Sequence, residues 1–172
     1  MFDYSGHPRE HRTLILACML FWSVLSYIFV RQFVLEGSRV EGSSMAPTLE
    51  DGHGFVLSHL SYCFRSPRRG DIVAVYLQAG QTLSVKRIVA MPRERIAIRG
   101  GRVYVNEKLL EEPYLPAGLV TAPDGLGTRE YEIADDCYFV MGDNRPNSFD
   151  SRSVGAVRKD RIHGVILLWD LN

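Results

Sequence analysis

"RIAIRGGRVYVNEKLL", residues 95–110, decides the fold class. Apolar residues alternate on both sides of Gly100–Gly101, and glycine supplies the positive φ that a two-residue hairpin turn requires. "VYVNEKLL" repeats the pattern around a second tight turn at Asn106–Glu107. Two such turns in succession make antiparallel strands joined locally.

The neighbouring stretches extend this reading. "HGFVLSHL" (53–60) and "DIVAVYL" (71–77) read as strands separated by the turn "PRRG" (67–70). "TLSVKRIVAM" (82–91) is rich in β-branched residues and stops at Pro92, while "CYFVMGD" (137–143) and "IHGVILLWDL" (162–171) read as late strands. Residues 111–128 hold three prolines and three glycines and read as a loop or covering flap. Residues 35–172 show neither strong helical periodicity nor an internal repeat, so the class is mainly β.

Ahead of this domain lies "LILACMLFWSVLSYIFV", residues 14–30, with no charged residue. At about 1.5 Å per residue it spans roughly 25 Å, the short end of what a bilayer needs. Extension to Val34 is comfortable if Arg31 snorkels to the headgroups. A buried core helix would carry a polar face, and this segment has almost none. A cleaved signal peptide needs small residues just after the apolar run, and "RQFVLEGSRVEG" offers no such site. A retained anchor over residues 14–34 fits best. Arg9 and Arg12 precede it and Arg31 and Arg39 follow it, so charge leaves its orientation open.

The chain has 172 residues, enough for one compact domain with an appendage. Twenty basic and twenty acidic residues cancel, which gives no support for a nucleic-acid partner. Three cysteines, Cys18, Cys63 and Cys137, form no C-x-x-C pair and argue against a zinc site of that kind. Cys63 and Cys137 either pair or remain as two buried free thiols.

"EGSSMAPTLEDG" (41–52) carries two serines just before a proline. A serine hydroxyl is a poor nucleophile until a base takes its proton. The histidines are His7, His11, His53, His59 and His163. None lies in a motif with a carboxylate, although a Ser-His-Asp set converges in space and is not excluded by order. Lys86 is the other candidate, a cation among Val85, Ile88 and Val89. Either it lies on an edge strand in solvent, or burial lowers its pKa and makes its amine a general base. "MGDNRPNSFDSRSVG" (141–155) is dense in polar side chains for a simple connection. An Asp150–Arg152 or an Asp143–Arg145 ion pair would brace it, and Ser148 would orient the lysine amine.

Taken in order, these stretches resemble the type I signal peptidase family, leader peptidases with a Ser-Lys dyad. The nucleophile box, roughly S-M-x-P-T-L, is Ser44-Met45-Ala46-Pro47-Thr48-Leu49. The base box, roughly K-R-h-h-G-x-P-G-D with h apolar, is Lys86-Arg87-Ile88-Val89-Ala90-Met91-Pro92-Arg93-Glu94. The last box, G-D-N-R-x-N-S-x-D-S-R, is filled at every fixed position from Gly142 through Arg152. "RGDIV" (69–73) and "VYVNEKLLEEPYL" (103–115) are also similar to the family. Ala90 and Arg93 replace usual glycines, and Pro146 stands where an acidic residue is common.

The resemblance implies an antiparallel-sheet catalytic domain of signal-peptidase type behind one N-terminal transmembrane helix. Residues 1–13 form a short cytoplasmic N-terminus and 14–34 the anchor. Residues 35–172 form the domain outside the cytoplasm, with a smaller covering subdomain at about 93–135. Ser44 is then the nucleophile and Lys86 the general base. Ser148 bonds the lysine, Asp150 and Arg152 form a supporting ion pair, and Gly42 stands where many members place a second oxyanion donor. Val40, Met45, Leu49 and Val85 match residues lining shallow pockets for small side chains. No cofactor or metal is implied. The partners are signal peptides of preproteins, the lipid bilayer and the protein translocation machinery. A self-cleaving Ser-Lys repressor would be soluble with a DNA-binding motif, and an inactive signal-peptide-binding module would have lost a dyad member. The N-terminal span argues against the first, the filled Ser44, Lys86 and Asp150 positions argue against the second, and an organelle membrane in place of a bacterial one is a third reading. "HLSYCFRSPRR" (59–69) reads either as core aromatics with a solvated basic turn or as a contact with anionic lipid.

Overall fold

The structure, a computed structural model, describes residues 8–33, 35–78, 82–123 and 129–167. Expectations placed on His7 and the rest of 1–7, on Val34 as the end of the anchor, on 124–128 of the loop and on 168–171 of the last strand lie outside the described residues. Helix α1 (Pro8–Phe33) opens the chain. Proline can begin it because the N–H it lacks would have no helical partner there. Residues 11–28 carry the apolar stretch, and none of that window is buried in protein. Leu16, Phe21 and Trp22 are all about two-thirds exposed, which removes the core-helix reading.

Among the described residues, eleven strands follow in two antiparallel sheets. The larger contains β1 (Leu35–Arg39), β2 (Gly54–Ser58), β3 (Ile72–Val75), β4 (Ser84–Ala90), β9 (Cys137–Met141), β10 (Val157–Arg158) and β11 (Ile162–Leu167). Their spatial order is β1-β2-β11-β3-β4-β9-β10. The smaller contains β5 (Arg95–Arg99), β6 (Arg102–Val105), β7 (Lys108–Leu109) and β8 (Arg129–Glu132), ordered β7-β6-β5-β8. Short helices α2 (Ser61–Phe64) and α3 (Ser151–Val154) and 3₁₀ turns at Arg145–Asn147 and Lys159–Arg161 lie between the strands.

Sequence and packing agree most closely at β3. "IVAV" is apolar throughout, and all four residues are buried because the strand is central and covered on both faces. Ile72 and Ala74 pack with Val40, Met45, Leu49 and Phe55 beneath the nucleophile loop, whereas Val73 and Val75 pack with Ile88, Tyr138 and Val140 on the other face. A third cluster, with Val89, Ile96, Ile98, Val103 and Phe139, joins the two sheets. The hairpin turns fall where the glycines put them: Gly100 and Gly101 have φ of 54° and 76°. Asn106 and Glu107 also lie in the left-handed region, at 49° and 65°, as a two-residue turn with a tight twist demands.

The cysteine alternatives both require correction. Cys18, Cys63 and Cys137 are free; Cys63 is exposed and Cys137 is half-buried. The helical turn of α2 turns position 63 outward.

Candidate active site

The ladder between β4 and β9 pairs Arg87 with Met141 and goes no further toward the start of β4. Lys86 therefore lies one residue beyond the last paired position, where the chain after β9 peels away. The turn that carries Ser44 fills that gap. Asn144 donates its backbone N–H to the Ser44 carbonyl at 3.0 Å and its side-chain amide to the Ser43 carbonyl at 3.0 Å. Gly142 sits between the Ser44 carbonyl oxygen and the Ser148 hydroxyl, where a Cβ would collide with both. Only glycine permits this approach.

Lys86 Nζ donates to Ser44 Oγ at 2.8 Å and to the Val85 carbonyl at 2.9 Å. The lysine is 4 % exposed. Burial lowers its pKa from the ordinary value, with the Asp150 carboxylate opposing part of the shift. The solvent-exposed edge-strand reading of Lys86 therefore fails. Among the described residues no histidine hydrogen-bonds Ser44. His59 meets Glu36 at 3.1 Å and stacks edge-on against His163, beside strands that stand three and two places from β4, while the Nδ1 of His53 accepts the Glu50 N–H.

Of the two ion pairs that the spacing of the polar loop offers, one forms. Asp150 and Arg152 pair as expected, through Nε–Oδ1 at 2.9 Å and Nη2–Oδ2 at 2.8 Å. Asp150 also accepts the N–H of Gly142 at 3.1 Å, which ties the pair to the glycine beside the dyad. The Asp143–Arg145 alternative is not formed. Asp143 pairs with Arg87 at 2.9 and 2.6 Å, and Arg145 reaches Glu112. The 3₁₀ turn at Arg145–Asn147 aims the guanidinium away from its neighbour, with Nε on the Gly142 carbonyl. Thr48 donates to Asp143 at 2.5 Å and so fastens the nucleophile turn to the Arg87 pair.

Two expected roles differ in detail. Ser148 makes no hydrogen bond to Lys86; its hydroxyl is buried and unpartnered, because the lysine amine turns to Ser44 and Val85. Gly42 has φ 91°, and its N–H donates to Asp51 at 2.7 Å, so that N–H is committed to the turn. The Ser44 N–H has no acceptor among the described residues.

A cleft of about 400 Å³ opens beside Ser44 and Lys86, lined also by Ser38, Val40, Phe55, Ala74 and Val85 among others. Val40 and Val85 lie on its wall. Met45 and Leu49 instead pack in the core behind it, at 0 % and 3 % exposure. Phe55 and Ala74 escaped the sequence reading because they are ordinary strand residues; only the pairing of β2, β11 and β3 brings them to the cleft. Among the described residues no group of three or more His, Cys, Asp or Glu side chains could hold a metal ion.

The sequence is similar to those of known proteins. A relative from Synechocystis, "Probable signal peptidase I-2", is 34 % identical over 91 % of this chain and 72 % of its own. "Signal peptidase I T" of Bacillus subtilis is 37 % identical over 83 % of this chain and 77 % of its own. A solved signal peptidase I from Enterococcus faecalis is 26 % identical, with a TM-score of 0.49 over 59 % of this chain and 97 % of its own. The family described as "Signal peptidase, peptidase S26" matches residues 12–169, nearly the whole length. The Ser44 and Lys86 boxes thus sit inside a match that runs from the helix to the last strand, and the chain belongs to the signal peptidase family, peptidase S26.

Proposed function

We propose that this chain is a membrane-anchored serine endopeptidase that removes signal peptides from exported preproteins, with Ser44 as nucleophile and Lys86 as general base. The observation that carries the assignment is the 2.8 Å contact between Ser44 Oγ and a buried lysine whose pKa is lowered by that burial. Neutral Lys86 takes the Ser44 proton as Oγ attacks the scissile carbonyl. The Ser44 N–H donates to the oxyanion, and the Lys86 ammonium returns its proton to the departing amine. Water then repeats the sequence on the ester, with Lys86 again accepting the proton. The Asp150–Arg152 pair and Gly142 hold the loop against which the dyad rests. Val40 and Val85, with Phe55 and Ala74, bound a shallow apolar site for the small side chains before the cut.

Sheet register supports chemistry at the membrane surface. Leu35, the first residue of β1, pairs with Ser58, Ser58 with Val165, Val165 with Val73, and Val73 with Lys86. One row across the sheet thus joins the exit of α1 to the base, about 19 Å away at roughly 4.8 Å per strand. A preprotein whose apolar segment lies in the bilayer presents its cleavage site at that level, at high effective concentration. The N-terminus then lies in the cytoplasm and the β-domain on the outer face of the cytoplasmic membrane, close to the translocation machinery that delivers substrates.

Residues 59–69 divide between their two readings. Tyr62 packs on the core and bonds Asp71, Arg65 pairs with Asp71 and Arg69 with Glu94. Phe64 is 87 % exposed, and α2 starts three residues after Ser58, at the same end of the sheet as the exit of α1. Phe64 enters the lipid interface there.

The test is cleavage of a preprotein with an Ala-x-Ala site in detergent, by the wild-type chain, Ser44→Ala and Lys86→Ala. The wild type cuts after the second Ala, and each variant loses at least about a thousandfold in rate. A wild type inactive on several such substrates makes the chain a binding module; residual activity in the variants displaces the dyad.

A further inference from the structure

We propose that Glu112 and Tyr114 are positioning residues for the Ser44–Lys86 pair, a clasp that reaches from the smaller-sheet side to fix the arginines behind both dyad members. The inference rests on the dyad assignment above and adds to it two residues of the "EEPYL" stretch (111–115).

Glu112 accepts hydrogen bonds from Arg145 Nη2 at 2.5 Å, from Arg145 Nη1 at 3.2 Å and from the Tyr114 hydroxyl at 2.8 Å. The Arg145 side chain has no solvent exposure and Glu112 only 10 %. Thr121 takes a further Arg145 bond at 2.7 Å, and its own N–H is anchored on the Gly101 carbonyl at 2.9 Å. The loop is therefore tied at one end to the hairpin turn of the smaller sheet and at the other to the catalytic loop. From Arg145, Nε holds the carbonyl of Gly142, the residue wedged between Ser44 and Ser148.

A second line of contacts starts at Tyr114. Its ring lies 3.9 Å from the guanidinium carbon of Arg87, which directly follows the base. Arg87 bonds Asp143, and Asp143 holds Thr48, four residues after the nucleophile. Burial and the Glu112 carboxylate raise the Tyr114 hydroxyl pKa, so it stays a neutral donor across the working range. The charges balance around this site: Arg87, Arg145 and Arg152 face Asp143, Glu112 and Asp150. Glu112 is the one carboxylate of the three contributed by the clasp, and without it Arg145 is a buried cation lacking its ion-pair partner. A dyad working through a 2.8 Å contact is sensitive to such a loss, since a displacement of about 1 Å costs on the order of a hundredfold in rate.

The full chain in detergent is compared with Tyr114→Leu, Tyr114→Phe, Glu112→Gln, Glu112→Asp and Ser44→Ala, measuring kcat and KM on the Ala-x-Ala preprotein together with Tm. Tyr114→Leu and Glu112→Gln lower kcat by about tenfold or more, with KM within about twofold, at temperatures where both are folded. Tyr114→Phe retains the ring face and stays within about threefold of wild type, and Glu112→Asp recovers part of the Glu112→Gln loss. The proposal is overturned if folded Tyr114→Leu turns over like wild type, if Tyr114→Phe is as slow as Tyr114→Leu, or if only KM rises. Should Glu112→Gln not fold, the Tyr114 pair alone decides. An active Ser44→Ala would instead remove the dyad assignment, whereas a dead Ser44→Ala beside a fully active Tyr114→Leu removes the clasp alone.

Discussion

Lys86 is a cation in water and a base only after losing a proton, so its surroundings must favour the neutral amine. Burial does this, against the partial opposition of Asp150. Two consequences follow for pH. The rate rises as pH rises through the lowered lysine pKa, and a flat kcat/KM between about pH 6 and 10 would remove Lys86 as the base. Stability moves the same way. Between the lowered value and the ordinary 10.5, the native chain binds fewer protons at this site than the unfolded chain. Unfolding free energy therefore increases with pH across that window. Lys86→Met, apolar and of similar reach, abolishes this increase, as denaturant titrations at several pH values will show. Gly142 makes the complementary point: its contribution is the absence of a side chain, which lets the Ser44 carbonyl and the Ser148 hydroxyl close on one position.

At the level of elements, the site depends on where strands stop. β9 leaves its ladder with β4 at Met141, and the gap beyond it receives the nucleophile turn. The opposite end of β4 runs into a tight turn at which Arg93 adopts φ 65°, at the position where the family's base box carries glycine. A non-glycine side chain is strained there. The conformation is held because the Arg93 N–H donates to the Ile133 carbonyl at 2.9 Å. Arg93→Gly relieves the strain and loses only an exposed ion pair with Asp135, so Tm rises by roughly 1–3 °C with activity unchanged. A fall in Tm would show that the extra freedom of glycine in the unfolded chain outweighs the strain. The sequence displayed these interior elements plainly, because β3 through β6 carry apolar runs bounded by glycine and proline. It concealed β1 ("LEGSR") and β8 ("REYE"), each an edge strand whose pairing needs no apolar alternation. The proposed Ser44–Lys86 pair was legible as a candidate because each member sits in a short contiguous motif. The partners of Arg87 and Arg145 were not: Asp143, Glu112 and Thr121 meet them only through tertiary packing, and of the two neighbouring charge pairs in the loop only Asp150–Arg152 forms.

For the whole molecule, the governing relation is between the anchor and the row of the sheet that carries the base. β1 follows α1 after one residue, and its first residue stands in the same row as Lys86. From that row β4 runs toward the smaller sheet, which therefore lies on the side away from the anchor. Phe64 is at the near end, and Val120, also exposed, packs by the Gly101 turn of the smaller sheet. This polarity makes a spatial prediction. In proteoliposomes of anionic lipid, with Cys18, Cys63 and Cys137 replaced by serine, a fluorophore on Phe64→Cys is quenched by a quencher carried in the lipid headgroup region. The same fluorophore on Val120→Cys is not. Equal quenching at the two positions would mean that the domain lies across the membrane in another pose, and the row joining anchor to base would no longer explain how the enzyme meets its substrate. Preferential quenching at position 64 would place the Lys86 end of the sheet at the interface, where a signal peptide leaves the bilayer.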